Sequence, residues 1–189
     1  MKRILITLAA LLASSIMFAQ NQVSVESGDI SVLKEKKTAT IEFDFSDAKV
    51  GDETLKEYLK SKGGDYLKDW PADQKEAGEY FIKEFNRRRG ISMNIRESES
   101  VKKADYEIVV TVLYYNPGNQ VAKNIPLIAK DGASTISGYI DIIDKATKKS
   151  ACKIVIDEVS GASYPSDAMR LGFTYISVVR KIEDLLEAE

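Results

Sequence analysis

The sequence predicts an α+β domain, with a mostly antiparallel sheet of four to six strands and two long helices packed on one face. Several segments alternate apolar and polar residues with a period of two, as half-buried strands do. Two segments of about twenty residues carry apolar side chains at steps of three and four, as amphipathic helices do. The order is strand, helix, helix, strand, strand, hairpin, helix, and no linker is long enough to divide the 189 residues into two domains.

The first nineteen residues predict a secretory signal peptide. Lys2 and Arg3 form a basic start, residues 4–13 are apolar, and Ala19 is a small residue at the expected cleavage point. Cleavage after Ala19 leaves a single α+β domain over residues 20–189, with an ordered core over about residues 38–187. The apolar stretch is short for a membrane span, so we expect no span after cleavage and an exported protein, periplasmic or extracellular.

The first half of the mature chain contains two predicted strands and two predicted helices. Residues 30–32 suggest a short strand, and residues 38–45 alternate clearly. A modest helix follows from Asp52 to the Gly63-Gly64 pair. A loop containing Tyr66 and Trp70 then leads to Pro71, whose fixed φ suits the first turn of a long helix that ends near Arg89.

The second half contains the strongest strand and helix patterns. Residues 91–95 alternate, and residues 106–115 are apolar enough on both faces to predict a central strand. Residues 134–144 and 150–159 predict a hairpin joined by a lysine-rich turn. Ser166 is placed to cap a final helix that continues to Glu187 with apolar residues at helical spacing.

The composition excludes several kinds of chemistry. The chain has no histidine, so it lacks serine–histidine or cysteine–histidine catalysis and a histidine metal site. Its single cysteine, Cys152, lies in an apolar run and is expected to be buried. Without Lys2 and Arg3 there are 25 basic and 29 acidic residues, which is not the balance of a nucleic-acid-binding protein.

Two groups of carboxylates are candidate sites. The first could hold calcium at a strand end and comprises Asp44, Asp47, Asp52 and Glu53. The second could supply the acid and nucleophile of a glycosidase and comprises Asp141, Asp144, Asp157 and Glu158. A solvated strand end and outward-facing hairpin residues explain them more simply. We therefore predict no catalytic residue, no metal ligand and no cofactor.

Aromatic residues beside predicted loops give the one positive indication of a binding surface. Rigid aromatic side chains are common anchors for proteins and sugars, although core packing explains each of them more simply. The candidate binding residues are Trp70, Tyr66, Tyr114, Tyr115 and Tyr164. If several of them meet at one end of the sheet, they mark a recognition surface.

Three segments resemble a broad group of bacterial envelope domains. They are Ala104-Asp105-Tyr106 before the apolar strand, the alternating hairpin arm of residues 137–144, and the closing helix. The group includes uncharacterised secreted, periplasmic and lipoprotein-type α+β domains, and its fold looks like the amino-terminal domain of TolB and the core of curli-secretion lipoproteins. The resemblance covers about residues 38–187 and implies a non-enzymatic envelope role. The chain lacks the lipobox cysteine of the lipoproteins.

The leading hypothesis is an exported, non-catalytic binding or structural module of the periplasm or cell envelope. Its partner would be an envelope protein or a surface polymer, and not a nucleic acid. Two alternatives stay open, namely a secreted hydrolase that uses carboxylates alone and a carrier of a small ligand. A binding module predicts exposed aromatic residues, whereas a hydrolase predicts paired carboxylates in a concave pocket.

Overall fold

The computed structural model describes residues 22–96, 103–118 and 132–188; the predicted signal peptide, residues 1–19, lies outside these ranges. The strands are β1 (Val23–Gly28), β2 (Thr38–Asp44), β3 (Lys49–Val50), β4 (Glu53–Thr54), β5 (Asn94–Arg96), β6 (Tyr106–Asn116), β7 (Ala133–Asp144) and β8 (Lys149–Ser163). The helices are α1 (Leu55–Ser61), α2 (Tyr66–Arg87) and α3 (Asp167–Glu187), and a short 3-10 helix (Ile30–Lys34) precedes β2.

The prediction of a mostly antiparallel sheet of four to six strands is wrong. Eight strands of the described ranges form one mixed sheet, in the order β1-β8-β7-β6-β2-β5, with β3 and β4 attached beside β6. Within this order β1, β8, β7 and β6 pair antiparallel with one another. Strand β2 is parallel to both of its neighbours, β5 and β6.

The parallel pairing has a physical cause in the chain connections. Helices α1 and α2 lie between β2 and β5 in the chain, and a helical crossover returns the chain so that the next strand runs in the same direction. A period of two shows which face of a strand is buried, but it does not show the direction of the neighbouring strand. The strand count was too low because β3 and β4 have two residues each and show no alternation.

Both long helices pack on one face of the sheet. The ring of Phe43 on β2 lies 5.7 Å from that of Phe81 on α2 and 4.9 Å from that of Tyr175 on α3, measured between centroids. Gly78 of α2 allows this approach, because a Cβ atom built there would lie 2.8 Å from the Phe43 ring. The helices and this face of the sheet therefore enclose one core.

Helices α2 and α3 run parallel to each other. Their contacts advance together along both helices, from the rings of Tyr80 and Phe173 at 5.9 Å to the ion pair of Arg88 and Glu183 at 2.9 Å. Between these contacts Glu84 of α2 accepts a hydrogen bond from Arg180 of α3. The amino-terminal ends of the two helices thus lie at the same end of the domain.

The helix boundaries follow local capping in two cases and tertiary packing in one. The Ser166 cap is confirmed, since its side chain accepts the amide of Met169. Helix α1 begins after Thr54, which forms a capping box with Glu57. The predicted loop before Pro71 is wrong, because α2 begins at Tyr66 and includes the proline.

Two amino-terminal elements differ from the prediction. Ile30 and Val32 belong to the 3-10 helix rather than to a strand, and Asp29 caps this helix by accepting the amide of Ser31. Strand β1, from Val23, extends the sheet beside β8. Both elements contribute side chains to the same core as the rest of the sheet, and Cys152 is fully buried in that core, as predicted.

Among the described residues, none of the helices combines the length and the apolar character that crossing a membrane requires.

Candidate functional site

The five predicted binding residues lie in different environments. Trp70 and Tyr115 are core residues, 9% and 1% exposed, whereas Tyr66, Tyr114 and Tyr164 are exposed. Trp70 and Tyr115 are in contact, with ring centroids 5.6 Å apart. The five side chains therefore do not form one exposed aromatic surface.

A bulge in β6 explains why Tyr114 is exposed whereas Tyr115 is buried. The core-facing residues of β6 alternate up to Val112, and the pairing with β7 then shifts by one residue between Val112 and Tyr114. This extra residue is Leu113, which is 45% exposed. After the bulge Tyr115 points into the core and Tyr114 points to the other face of the sheet.

Tyr164 packs against a different part of the surface. Its ring stacks on that of Phe173 of α3, with centroids 4.4 Å apart and planes inclined by 6°. The Phe173 ring in turn approaches Tyr80 of α2. These contacts fix the segment between β8 and α3 onto the two helices, while one side of Tyr164 stays in solvent.

The candidate site is an open groove beside Trp70, which we call the Trp70 groove. Its volume is about 360 Å³. The apolar lining comes from the end of β2 and from α1 and α2 and comprises Phe43, Phe45, Leu55, Leu59, Leu67 and Trp70. The polar lining comprises Ser46, Thr54, Lys56 and Gln74.

A buried aromatic cluster supports the wall of the groove. The Trp70 ring meets the Phe45 ring edge to face at 5.4 Å, and both rings contact that of Tyr115. Such contacts add to the stabilisation from burial and fix the orientation of each ring. Because Phe45 and Tyr115 pack against the Trp70 ring, the groove can present a preformed apolar surface to a ligand.

Two helices position the remaining lining residues. Helix α1 is fixed at its start, because the Leu55 amide donates to the Ala48 carbonyl oxygen at 2.8 Å and Thr54 and Glu57 form the capping box. On α2, Leu67 lies one turn before Trp70 and is 41% exposed at the edge of the groove. A large apolar side chain exposed beside an apolar groove is a common feature of binding surfaces.

The charges around the groove are unevenly placed. Among the described residues that line the groove, Lys56 carries a charge and the others are uncharged. Asp73, next to Gln74 in the chain, has a raised pKa because it is partly buried and because Asp167 and Glu76 are also negative. Burial is the main reason why the pKa of Tyr115 is raised. Lys56 is thus the lining side chain, among the described residues, that could attract a negative charge.

Three of the candidate carboxylates, Asp44, Asp141 and Asp144, have local hydrogen-bond partners. Asp44 accepts the amide of Ser46, and Asp144 accepts the amides of Ala146 and Thr147 in the β7–β8 turn. These hydrogen bonds lower the pKa values of both carboxyl groups. Asp141 accepts the hydroxyl of Ser150, and Asp157 is exposed.

Several groove residues were missed in the sequence. Leu55 and Leu59 fall within the predicted helix that starts at Asp52, and Leu67 falls within the predicted loop before Pro71. The signal for α2 was the spacing of Leu67, Trp70 and Gln74, which places them on one side of a helix. Pro71 concealed this signal because proline usually marks the start of a helix rather than its second turn.

Comparison with known proteins gives distant matches. The chain matches no family model, and no curated protein matches its sequence. Among solved structures, it matches two dodecamers of PelC from Paraburkholderia phytofirmans, one of which carries a point substitution. Each is 13% identical in sequence, and the alignments cover 85% of this chain and 96% of the PelC chain, with TM-scores of 0.43 and 0.44. Similarity at this distance assigns no function to the chain.

Proposed function

We propose that the chain is an exported binding module that receives an apolar side chain of a partner protein in the Trp70 groove. The observation that carries this proposal is the groove itself, an apolar depression of about 360 Å³ beside a preformed aromatic cluster. Apolar anchors that enter such depressions dominate the affinity of many protein interfaces. The leader-like residues 1–19 support export to the periplasm or cell exterior.

The lining suggests the chemistry of the partner segment. Lys56 borders an otherwise uncharged lining, so a carboxylate next to the apolar anchor would complement it. We therefore expect a segment with Leu or Phe beside Asp or Glu. The role as a non-catalytic envelope module, and the resemblance to envelope domains, stay predictions.

The small-ligand carrier is the second candidate for the same groove. Its volume lies at the lower end of the range of about 300 to 1,000 Å³ that is usual for small-molecule sites. An apolar acid of modest size would use the same apolar lining and the same lysine. The two candidates differ in whether the occupant is part of a protein.

Trp70 provides a direct readout of occupancy because it is the single tryptophan of the chain. We would titrate the mature protein with hexapeptides that contain Leu or Phe beside Asp or Glu and record tryptophan emission. The expected result is a saturable change in the parent protein that is lost in L67E, because a charge then borders the groove. L113E is the matched control, since Leu113 is equally exposed on the other face of the sheet.

A charge variant tests the role of Lys56. K56E should weaken binding of the acidic peptides and improve binding of otherwise identical peptides that carry Lys. An unchanged response in L67E, or no saturable change with any peptide, would contradict the partner-protein proposal. A small acid that native mass spectrometry detects in the parent protein and not in L67E would favour the carrier.

A further inference from the structure

Helices α2 and α3 pack on one face of the sheet, and none of the described helices covers the opposite face. Residues on successive strand positions point to opposite faces. On β2 and β6 the side chains of Phe43 and Ile108 enter the core, which places Glu42, Glu107 and Val109 on the other face. We call this the outer face.

The strand register brings particular side chains together on the outer face. Glu42 of β2 pairs with Val109 of β6, and Val109 pairs with Asp141 of β7. Directly opposite residues have Cβ atoms about 5 Å apart, and residues two positions along a strand are about 7 Å apart. Val109 is therefore bordered by the carboxylates of Glu42, Asp141 and Glu107.

Apolar side chains continue from Val109 across the middle of the outer face. Ile143 of β7 pairs with Glu107 and lies diagonal to Val109, while Tyr139 pairs with Val155 of β8. These four apolar side chains, which are partly exposed, are Val109, Ile143, Tyr139 and Val155. An apolar centre with a charged border is the usual anatomy of a protein–protein interface.

Carboxylates outnumber cations on this part of the face, although Arg96 of β5, which pairs with Thr40, also lies on it. Glu42, Glu107 and Asp141 are joined by Asp44, two positions beyond Glu42. Lys153 also lies on this face, but its Nζ atom is 2.8 Å from Glu26 of β1 and 4.4 Å from the centre of the Tyr139 ring. Lys153 also pairs with Asp141 and offsets part of its negative charge, whereas Glu42 and Glu107 lie on β2 and β6, away from this lysine.

We propose that the outer face docks a basic segment of a partner protein. Lysine or arginine side chains would place their aliphatic stems on Val109 and Ile143 and their cationic groups beside Glu42, Glu107 and Asp141. A second copy of the chain is a poor occupant, because the same negative charges would face each other. This surface is separate from the Trp70 groove, which lies on the helix side.

The size of the face predicts the strength of the contact. Four strands about 4.8 Å apart, each contributing about six residues of 3.3 Å, give a patch of roughly 400 Å². Stable complexes bury about 800 Å² on each partner. The docking is therefore expected to be reversible, and it should weaken as salt screens the charges.

A synthetic peptide of the repeat Lys-Lys-Leu-Leu can test the proposal, because each side of this peptide presents both residue types when it is extended. Binding of the labelled peptide would be measured by fluorescence anisotropy at two salt concentrations. The double variant E42K/E107K should lose about tenfold in affinity. The control E79K/E187K changes the net charge equally at exposed helix positions and should stay within about twofold of the parent.

Two further measurements complete the test. A Lys-Lys-Gln-Gln peptide should bind more weakly, because the apolar centre is then uncovered, and amide chemical-shift changes should map to β2, β6 and β7. Urea unfolding of both double variants verifies that they are folded. Equal loss of affinity in the two double variants, or shift changes concentrated on the helices, would overturn the proposal.

Discussion

Arg170 donates its Nε–H to the carbonyl oxygen of Pro117 at 2.8 Å, and so joins the first turn of α3 to the end of β6. The same guanidinium donates to the carbonyl oxygen of Tyr164 at 2.8 Å and forms an ion pair with Asp167. Arg170 is 1% exposed. A planar group with five donors can hold two chain segments at once, which the single ammonium group of lysine cannot do in the same geometry.

We predict that R170K lowers the free energy of unfolding by about 2 to 4 kcal/mol, because buried carbonyl groups lose their donors and Asp167 loses its guanidinium partner. Urea unfolding at neutral pH measures the change. R180K on the same helix is the control, since the Arg180 side chain is 55% exposed, and we expect it to cost less than about 1 kcal/mol. Similar losses of stability in both variants would mean that the guanidinium hydrogen bonds of Arg170 do not contribute more than those of an exposed arginine.

Thr174 and Tyr175 are adjacent core residues with opposite hydrogen-bonding states. The Thr174 hydroxyl lies 2.6 Å from that of Ser134 and donates to the Ser134 carbonyl oxygen at 2.9 Å. The Tyr175 hydroxyl is buried without a hydrogen-bond partner among the described residues. We predict that T174V costs about 1 to 3 kcal/mol, because it leaves buried groups unsatisfied, and that Y175F costs less than about 0.5 kcal/mol or stabilises the fold.

Thermal and urea unfolding of the two single variants decide this prediction. A loss of more than about 1 kcal/mol in Y175F would contradict it and would indicate a bound water molecule that satisfies the tyrosine hydroxyl.

Glu84 makes folding stability depend on acid pH. Burial acts to raise the pKa of its carboxyl group, but hydrogen bonds from Arg88, Arg87 and Arg180 outweigh burial and lower the pKa. The ordinary pKa of a glutamate is about 4.3. The folded state is therefore stabilised by ionised Glu84 above that pH, and this contribution is lost as the pH falls through the lower pKa of the folded state.

We predict that E84Q is less stable than the parent at pH 7 and that it loses less stability between pH 6 and pH 3. Urea unfolding at several pH values within this range gives both quantities. E79Q is the control, because Glu79 is exposed on the same helix, and it should follow the pH dependence of the parent. An unchanged acid loss in E84Q would show that other carboxyl groups cause it.

The sequence was informative wherever the physical cause is local. Strand β6, the β7–β8 hairpin and helix α3 were found close to their observed limits, because periodicity, turn residues and the Ser166 cap act within a few residues. The burial of Cys152 followed from its apolar neighbours for the same reason.

The candidate site was found in part. Trp70 was identified, but its groove depends on residues from β2, α1 and α2 that are far apart in the chain. Pro71 predicted a helix start, whereas packing of Trp70 on Phe45 and Tyr115 accompanies a helix that begins five residues earlier, at Tyr66. Local propensity is weaker than such packing, since proline removes a single hydrogen bond at this position.

By itself, the sequence determined the alternation of buried and exposed residues, the two long helices and the absence of histidine chemistry. The tertiary structure alone decided the parallel pairing of β2, the exposure of Tyr114 against the burial of Tyr115, and the acidic surroundings of Val109. The reason is that strand direction, bulges and register are set by partners on other strands. A shift of one residue in pairing exchanges the two faces of a strand, and no pattern within that strand records it.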